Sequence, residues 1–190
     1  MTMKKALSVR EITYIASGTA LIAAGSWISV PSLLPSMAPF TMQTFAVCTA
    51  AGLLGRRPGT WSVLCYILLG AVGAPVFALF RGGADVLLGP TGGYIAGFVF
   101  TALTTGYAAD RWGERLGVIV PAMALGVLLC YTFGTVWFMS VYTRDGGGLS
   151  VLTALSWCVF PYLVPDGIKI VLAALLVRRL RGFVQKGLRK

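Results

Sequence analysis

"VPDGIKIV", residues 164–171, places Asp166 and Lys169 inside an apolar run that extends from Val151 to Val177 and stops at Arg178 and Arg179. A spanning helix needs about 20 predominantly apolar residues, with a range of roughly 17 to 25. The run is long enough to tilt in a membrane or to include a short non-spanning piece, and Pro161 and Pro165 suit the first turn of its final helix. Asp166 and Lys169 are three apart, so on a helix they share a face. Counting back from Arg178, Asp166 lies ~18 Å along the helix, in the outer half of a ~30 Å hydrocarbon core. Each charge costs about 2.5–3.5 kcal/mol at a helix centre, a cost that two isoleucines would not incur. Ionisable residues at that depth are by default functional, the alternative being a self-neutralising structural pair. A carboxylate that accepts and an ammonium that donates suit a small ligand with N–H groups beside a carbonyl. A bare cation is a poorer match, because the lysine repels it.

The rest of the chain has the same character. Of 190 residues, 57% are hydrophobic and 12% charged, with a mean hydropathy of +0.82. A soluble domain carries about 25% charged residues. The net charge of +10 would suggest nucleic acid in a soluble protein. Here most charges lie between apolar segments, where basic residues set orientation and meet lipid headgroups, so no nucleic-acid partner is expected. Cys48, Cys65, Cys130 and Cys158 fall within apolar stretches without a CxxC and read as small buried hydrophobes. The chain contains no histidine, which removes Ser-His-Asp triads and most zinc sites.

Six candidate spans follow, at roughly 12–30, 40–55, 61–80, 92–109, 116–142 and 151–177, in one all-α membrane domain covering residues 1–190. The basic start "MTMKKALSVR" lacks a small-residue cleavage site after it, so the first span is read as retained. With both termini cytoplasmic, thirteen basic residues fall on the inner side and two, Arg81 and Arg144, on the outer, with Lys169 inside a span. That asymmetry supports this orientation. Trp27 and Trp137 then lie near outer ends and Trp61 and Trp112 near inner ends, as an interfacial belt requires.

The inner connections "RRPGT" and "DRWGE" are short. The outer ones, "PSLLPSMAPFTMQT" and "FRGGADVLLGPTGGY", are rich in glycine and proline, which implies shaped turns. They either cap an outward pocket or simply reverse the chain. Gly93 and Gly97 have the spacing of close helix packing. No GxxxxGK[ST] phosphate loop is present, and "GGAD" at 82–85 only loosely resembles an intramembrane aspartyl-protease motif. Enzymatic activity is therefore not expected. A structural or pore-forming membrane protein remains a rival reading.

"PFTMQTFAV", "LLGAVGAPVFA", "LLGPTGGYIAGF" and the closing "DGIK" together resemble the BioY family, the biotin-binding S-components of energy-coupling-factor (ECF) vitamin transporters. The resemblance runs over nearly the whole chain, and "GPTGGY" is its most specific signature; an S-component for another vitamin is the alternative within the class. It implies a six-helix S-component bundle in the bacterial cytoplasmic (inner) membrane, its vitamin pocket capped by the first and third outer loops. By the same resemblance, Asp166 and Lys169 contact the ureido head of biotin, and Gln43, Thr44, Thr91, Gly92, Gly93 and Tyr94 line the pocket. Arg81 or Lys169 meets the carboxylate. Ala16, Ala20 and Ala24 resemble a docking stripe for the transmembrane coupling subunit, with packing inside the bundle as the alternative. Two ABC-type ATPase subunits complete the implied assembly, and no cofactor is implied. Many relatives carry a longer glycine run where this chain has "FRGGADVLLGP", with Arg81 and Asp85 present.

Overall fold

A computed structural model describes residues 8–31, 39–144 and 148–189. Parts of the first and third outer loops (residues 32–38 and 145–147), together with Lys4, Lys5 and Lys190, lie outside the described residues. The fold is all-helical: α1 (Val9–Trp27), α2 (Gln43–Leu54), α3 (Arg56–Ala71), α4 (Ala84–Leu88), α5 (Gly92–Trp112), α6 (Leu116–Arg144), α7 (Val151–Cys158) and α8 (Phe160–Arg189). A two-stranded antiparallel ribbon, β1 (Ser29–Val30) with β2 (Phe40–Thr41), closes the start of the first outer connection; it pairs Ser29 with Thr41 and Val30 with Phe40.

The element ends depart from the expected spans for local reasons. Helix α1 starts at Val9 because Ser8 and Glu11 form a reciprocal capping box. The "RRPGT" stretch is the first turn of α3, not a connection, and the reversal is confined to Gly55. Its φ of 88° is open to glycine, and a side chain there would run into the Asp110 carboxylate. At its other end α3 stops at Ala71, well before Phe80, because Gly73 takes a φ of 99° and closes the helix, with the Ala74 N–H donating to the Leu69 carbonyl and the Gly73 N–H to the Gly70 carbonyl. Helix α7 is separate from α8, with the break at Val159 and Pro161 in the first turn of α8. Helix α8 runs on through the basic residues to Arg189, since hydropathy marks membrane depth and does not end a helix.

Only α6 (Leu116–Thr143) and α8 (Phe160–Leu188), among the described residues, are both long and apolar enough to cross a membrane by themselves. Six such helices were expected. Helix α2, with 12 residues, spans ~18 Å and α3, with 16, ~24 Å, both short of a ~30 Å core. The bundle nevertheless exposes many large apolar side chains, while an acid, a base and small residues are turned inward beside its apolar core. On α8, Tyr162, Asp166, Ile170, Ala173, Ala174, Val177 and Arg181 are buried, whereas Leu163, Val164, Ile168, Val171, Leu172 and Leu175 are exposed. This inversion is that of a protein solvated by lipid, and it explains why the carboxylate of Asp166 is tolerated: it points away from the apolar solvent.

Close contact between α5 and α6 depends on small residues. A side chain at Gly93 would overlap Trp137, and one at Gly97 would press on Cys130, so both glycines face α6. At the opposite end of the bundle from the ribbon, the buried Arg181 donates to the Gly52 carbonyl and, at 2.9 Å, to Asp110 Oδ1. The other Asp110 oxygen accepts the Arg56 backbone N–H at 2.8 Å. One arginine thus ties the ends of α2, α3, α5 and α8.

Candidate functional site

Asp166 is brought into the interior by the second turn of α8, where it is 5% exposed. Its Oδ1 accepts from Lys169 Nζ at 2.8 Å. Its Oδ2 accepts from the Tyr131 hydroxyl of α6 at 2.6 Å and from the Thr44 hydroxyl of α2 at 3.2 Å. Lys169 donates further to the Thr41 carbonyl at 2.7 Å, fastening the β2 end of the outer connection to α8. The carboxylate has four lone-pair positions and uses three of them here. Three donors fix its plane and leave one position for an incoming N–H.

Beside Asp166 lies a small cavity of about 80 Å³ lined by residues from β2, α2, α5, α6, α7 and α8. Thr41, Gln43, Thr44 and Asp166 give it a polar wall, and Tyr94, Phe98, Tyr131 and Tyr162 an aromatic one. Gln43 is held from behind: its amide Nε2 donates to the buried Tyr66 hydroxyl at 2.6 Å, and its Oε1 accepts from the Thr41 hydroxyl at 3.0 Å. Tyr94 shares a hydrogen bond of 2.9 Å with Thr135. Phe40 stacks on Tyr162 with ring centroids 4.4 Å apart, covering the cavity next to the ribbon. Among the described residues, no three His, Cys, Asp or Glu side chains converge to hold a metal.

The residues expected from sequence separate into three groups. Asp166, Gln43, Thr44 and Tyr94 share the cavity, and Lys169 braces Asp166 from beside it. Thr91, Gly92 and Gly93 form the first turn of α5, where Gly92 abuts the Leu87 backbone and Gly93 abuts Trp137; these three are absent from the cavity wall. Arg81 is exposed, in an i,i+4 ion pair of 3.4 Å with Asp85, and the structure does not bring it to the cavity. Sequence reading overlooked Tyr131, Tyr162, Phe98 and the thiols Cys130 and Cys158. A tyrosine in the middle of an apolar span is a legible signal, because its hydroxyl needs a partner there. Which partner it finds is not legible.

Ala16, Ala20 and Ala24 are exposed on the outer face of α1. Ala16 and Ala20 open onto an apolar groove of about 620 Å³ between α1 and α3, with Ile12, Leu68, Leu69 and Val72 along it.

A small cavity with one aromatic wall and one anchored carboxylate, inside a helical bundle with an apolar exterior, is the feature of this fold suited to hold a small solute. The fold matches that of a solved structure described as the S-component for biotin from an ECF-type ABC transporter, with a TM-score of 0.79, 29% identity and 95% of each chain covered. The architecture is therefore that of an ECF S-component. The chain belongs to the BioY family, whose pattern matches residues 2–186. The biotin transporter BioY of Thermotoga maritima is 40% identical over 173 residues, covering 91% of this chain and 96% of that one. The probable biotin transporter BioY of Pyrococcus horikoshii is 35% identical over 176 residues, covering 93% and 99%.

Proposed function

We propose that this protein is the biotin-binding S-component of an ECF transporter and takes up biotin across the cytoplasmic membrane without chemical change to it. The observation that carries this reading is the Asp166 carboxylate, fixed by Lys169, Tyr131 and Thr44 at the wall of a cavity that four aromatic side chains also line. The ureido ring of biotin has two N–H groups and a carbonyl, so Asp166 accepts from one N–H. Gln43 offers amide donor and acceptor atoms to the rest of the ring. The faces of Phe98, Tyr94 and Tyr162 supply apolar contact to the fused rings. Relatives named as biotin transporters, and the S-component for biotin with the same fold, support the choice of vitamin.

A cavity of about 80 Å³ has room for only two or three waters, far below the roughly 300–1,000 Å³ of an occupied ligand site. Biotin therefore enters by displacing the cap, and the Lys169–Thr41 bond is the strap that recloses it. In this reading six segments reach membrane depth, α1, α2, α3, α5, α6 and α8, with both termini cytoplasmic and the ribbon outside. The exposed alanines of α1 and the α1–α3 groove receive the transmembrane coupling subunit, and two ATPase subunits supply the energy.

Calorimetric titration of biotin into detergent-purified protein, with thiamine and riboflavin as controls, tests the assignment. Saturable binding of biotin alone is expected. Folded protein that binds either control vitamin and not biotin refutes it.

A further inference from the structure

We propose that the cleft between the start of α3 and the second half of α5 is a binding site for one anionic diacyl phospholipid; the inference rests on the membrane orientation proposed above. The cleft has a volume of about 490 Å³ and is lined by Arg56, Arg57, Thr60, Trp61, Leu64 and Leu103. Its polarity is graded. Arg56 and Arg57 open α3, Trp61 follows about one turn further on and Leu64 lies ~11 Å along the α3 axis from the arginines, with Leu103 of α5 alongside. That sequence of charge, indole and hydrocarbon reproduces the depth profile of one lipid leaflet.

Among the described residues neither arginine is neutralised by an acid. Among the described residues the ion pairs are Arg81–Asp85, Lys169–Asp166 and Arg181–Asp110, and neither Arg56 nor Arg57 takes part in one. The nearby acid, Asp110, is committed: one oxygen to Arg181 and the other to the Arg56 backbone N–H. The Arg56 guanidinium lies over the Tyr107 ring, 5.9 Å from its centroid, and Tyr107 meets the edge of Trp112 at 5.9 Å. These contacts hold Arg56 at the cleft without neutralising it. A phosphodiester accepts from two such planar forks. The apolar end distinguishes a lipid from free phosphate, for which Leu64 and Leu103 have no use.

The test is native mass spectrometry of the full chain with phosphatidylglycerol or phosphatidylcholine of identical acyl chains. One phosphatidylglycerol is expected to be retained in preference to phosphatidylcholine by roughly thirtyfold, the effect of two basic contacts. The double variant Arg56→Gln/Arg57→Gln is expected to abolish that preference, whereas Arg178→Gln/Arg179→Gln, equally basic but outside the cleft, leaves it intact. Leu103→Trp, which fills the apolar end, is expected to weaken both lipids. Equal retention of the two lipids, equal loss in both double variants, or displacement by millimolar inorganic phosphate overturns the proposal. Biotin titration of the same samples reports folding and the vitamin site separately, so failure here is distinguishable from failure of the transport reading.

Discussion

Replacing Asp166 by Asn removes one half of a charge pair whose side chains are 7% and 11% exposed. The Lys169 ammonium then remains buried with a carbonyl of Thr41 and a neutral amide as its partners. Breaking such a pair from one side costs about 3–5 kcal/mol, because an uncompensated charge is left in a medium that cannot solvate it. Lys169→Met breaks it from the other side and leaves the carboxylate with only Tyr131 and Thr44. The combination Asp166→Asn/Lys169→Met removes both charges and keeps those hydroxyl contacts, so most of the loss is recovered. For a chain of this size, ~2–4 °C of melting temperature corresponds to each kcal/mol. Each single variant is therefore expected to melt roughly 6–20 °C below the parent in the same detergent, and the double variant only a few degrees below. All three are expected to lose biotin binding, since each removes or displaces the carboxylate. Single variants as stable as the parent would show that the pair is not energetically coupled. A double variant that binds biotin normally would show that the pair serves the fold alone.

Three further outcomes are expected. Tyr131→Phe removes one of three donors to Asp166, and a hydrogen bond to a charged group contributes about 1.5–3 kcal/mol, so the melting temperature is expected to fall by roughly 3–12 °C, and biotin is expected to bind more weakly to a carboxylate less firmly held; melting and calorimetry of the same preparation read the two effects. Cys130 and Cys158 line the cavity, whereas Cys65 lines the α1–α3 groove. Bound biotin is expected to slow maleimide labelling of the first two and leave Cys65 unaffected, and mass spectrometry of the labelled peptides distinguishes them. Arg181→Met strips the Gly52 carbonyl of a buried partner and leaves the half-exposed Asp110 with the Arg56 N–H, so it is expected to lower stability by about 1–3 kcal/mol without changing biotin affinity, as melting and titration of the same preparation would show.

Much of this molecule is present in the order of its residues. Hydropathy locates the apolar segments because transfer from water is a sum over local side chains. The three-residue spacing of Asp166 and Lys169 puts them on one face of a helix, and their bond of 2.8 Å is a local consequence of that spacing. Gly93 and Gly97 announce a close helix neighbour in the same way. Some local signals are subtler than hydropathy: the Ser8–Glu11 box and Gly73 set helix ends that the apolar runs alone misplace.

The partners themselves belong to tertiary structure. Thr44 meets Asp166 across 122 positions of chain and Tyr131 across 35, and Lys169 finds the Thr41 carbonyl across 128. No periodicity encodes such meetings, since they depend on which faces of α2, α6 and α8 close on one another once lipid has sorted the apolar surfaces outward. The same packing turns Gly92 and Gly93 into spacers beside the pocket and leaves Arg81 on the surface with Asp85. Composition and spacing determine that a charge pair shares one face of an apolar helix. The convergence of helices distant in sequence decides what surrounds it, because a desolvated carboxylate is stable only where several donors arrive together.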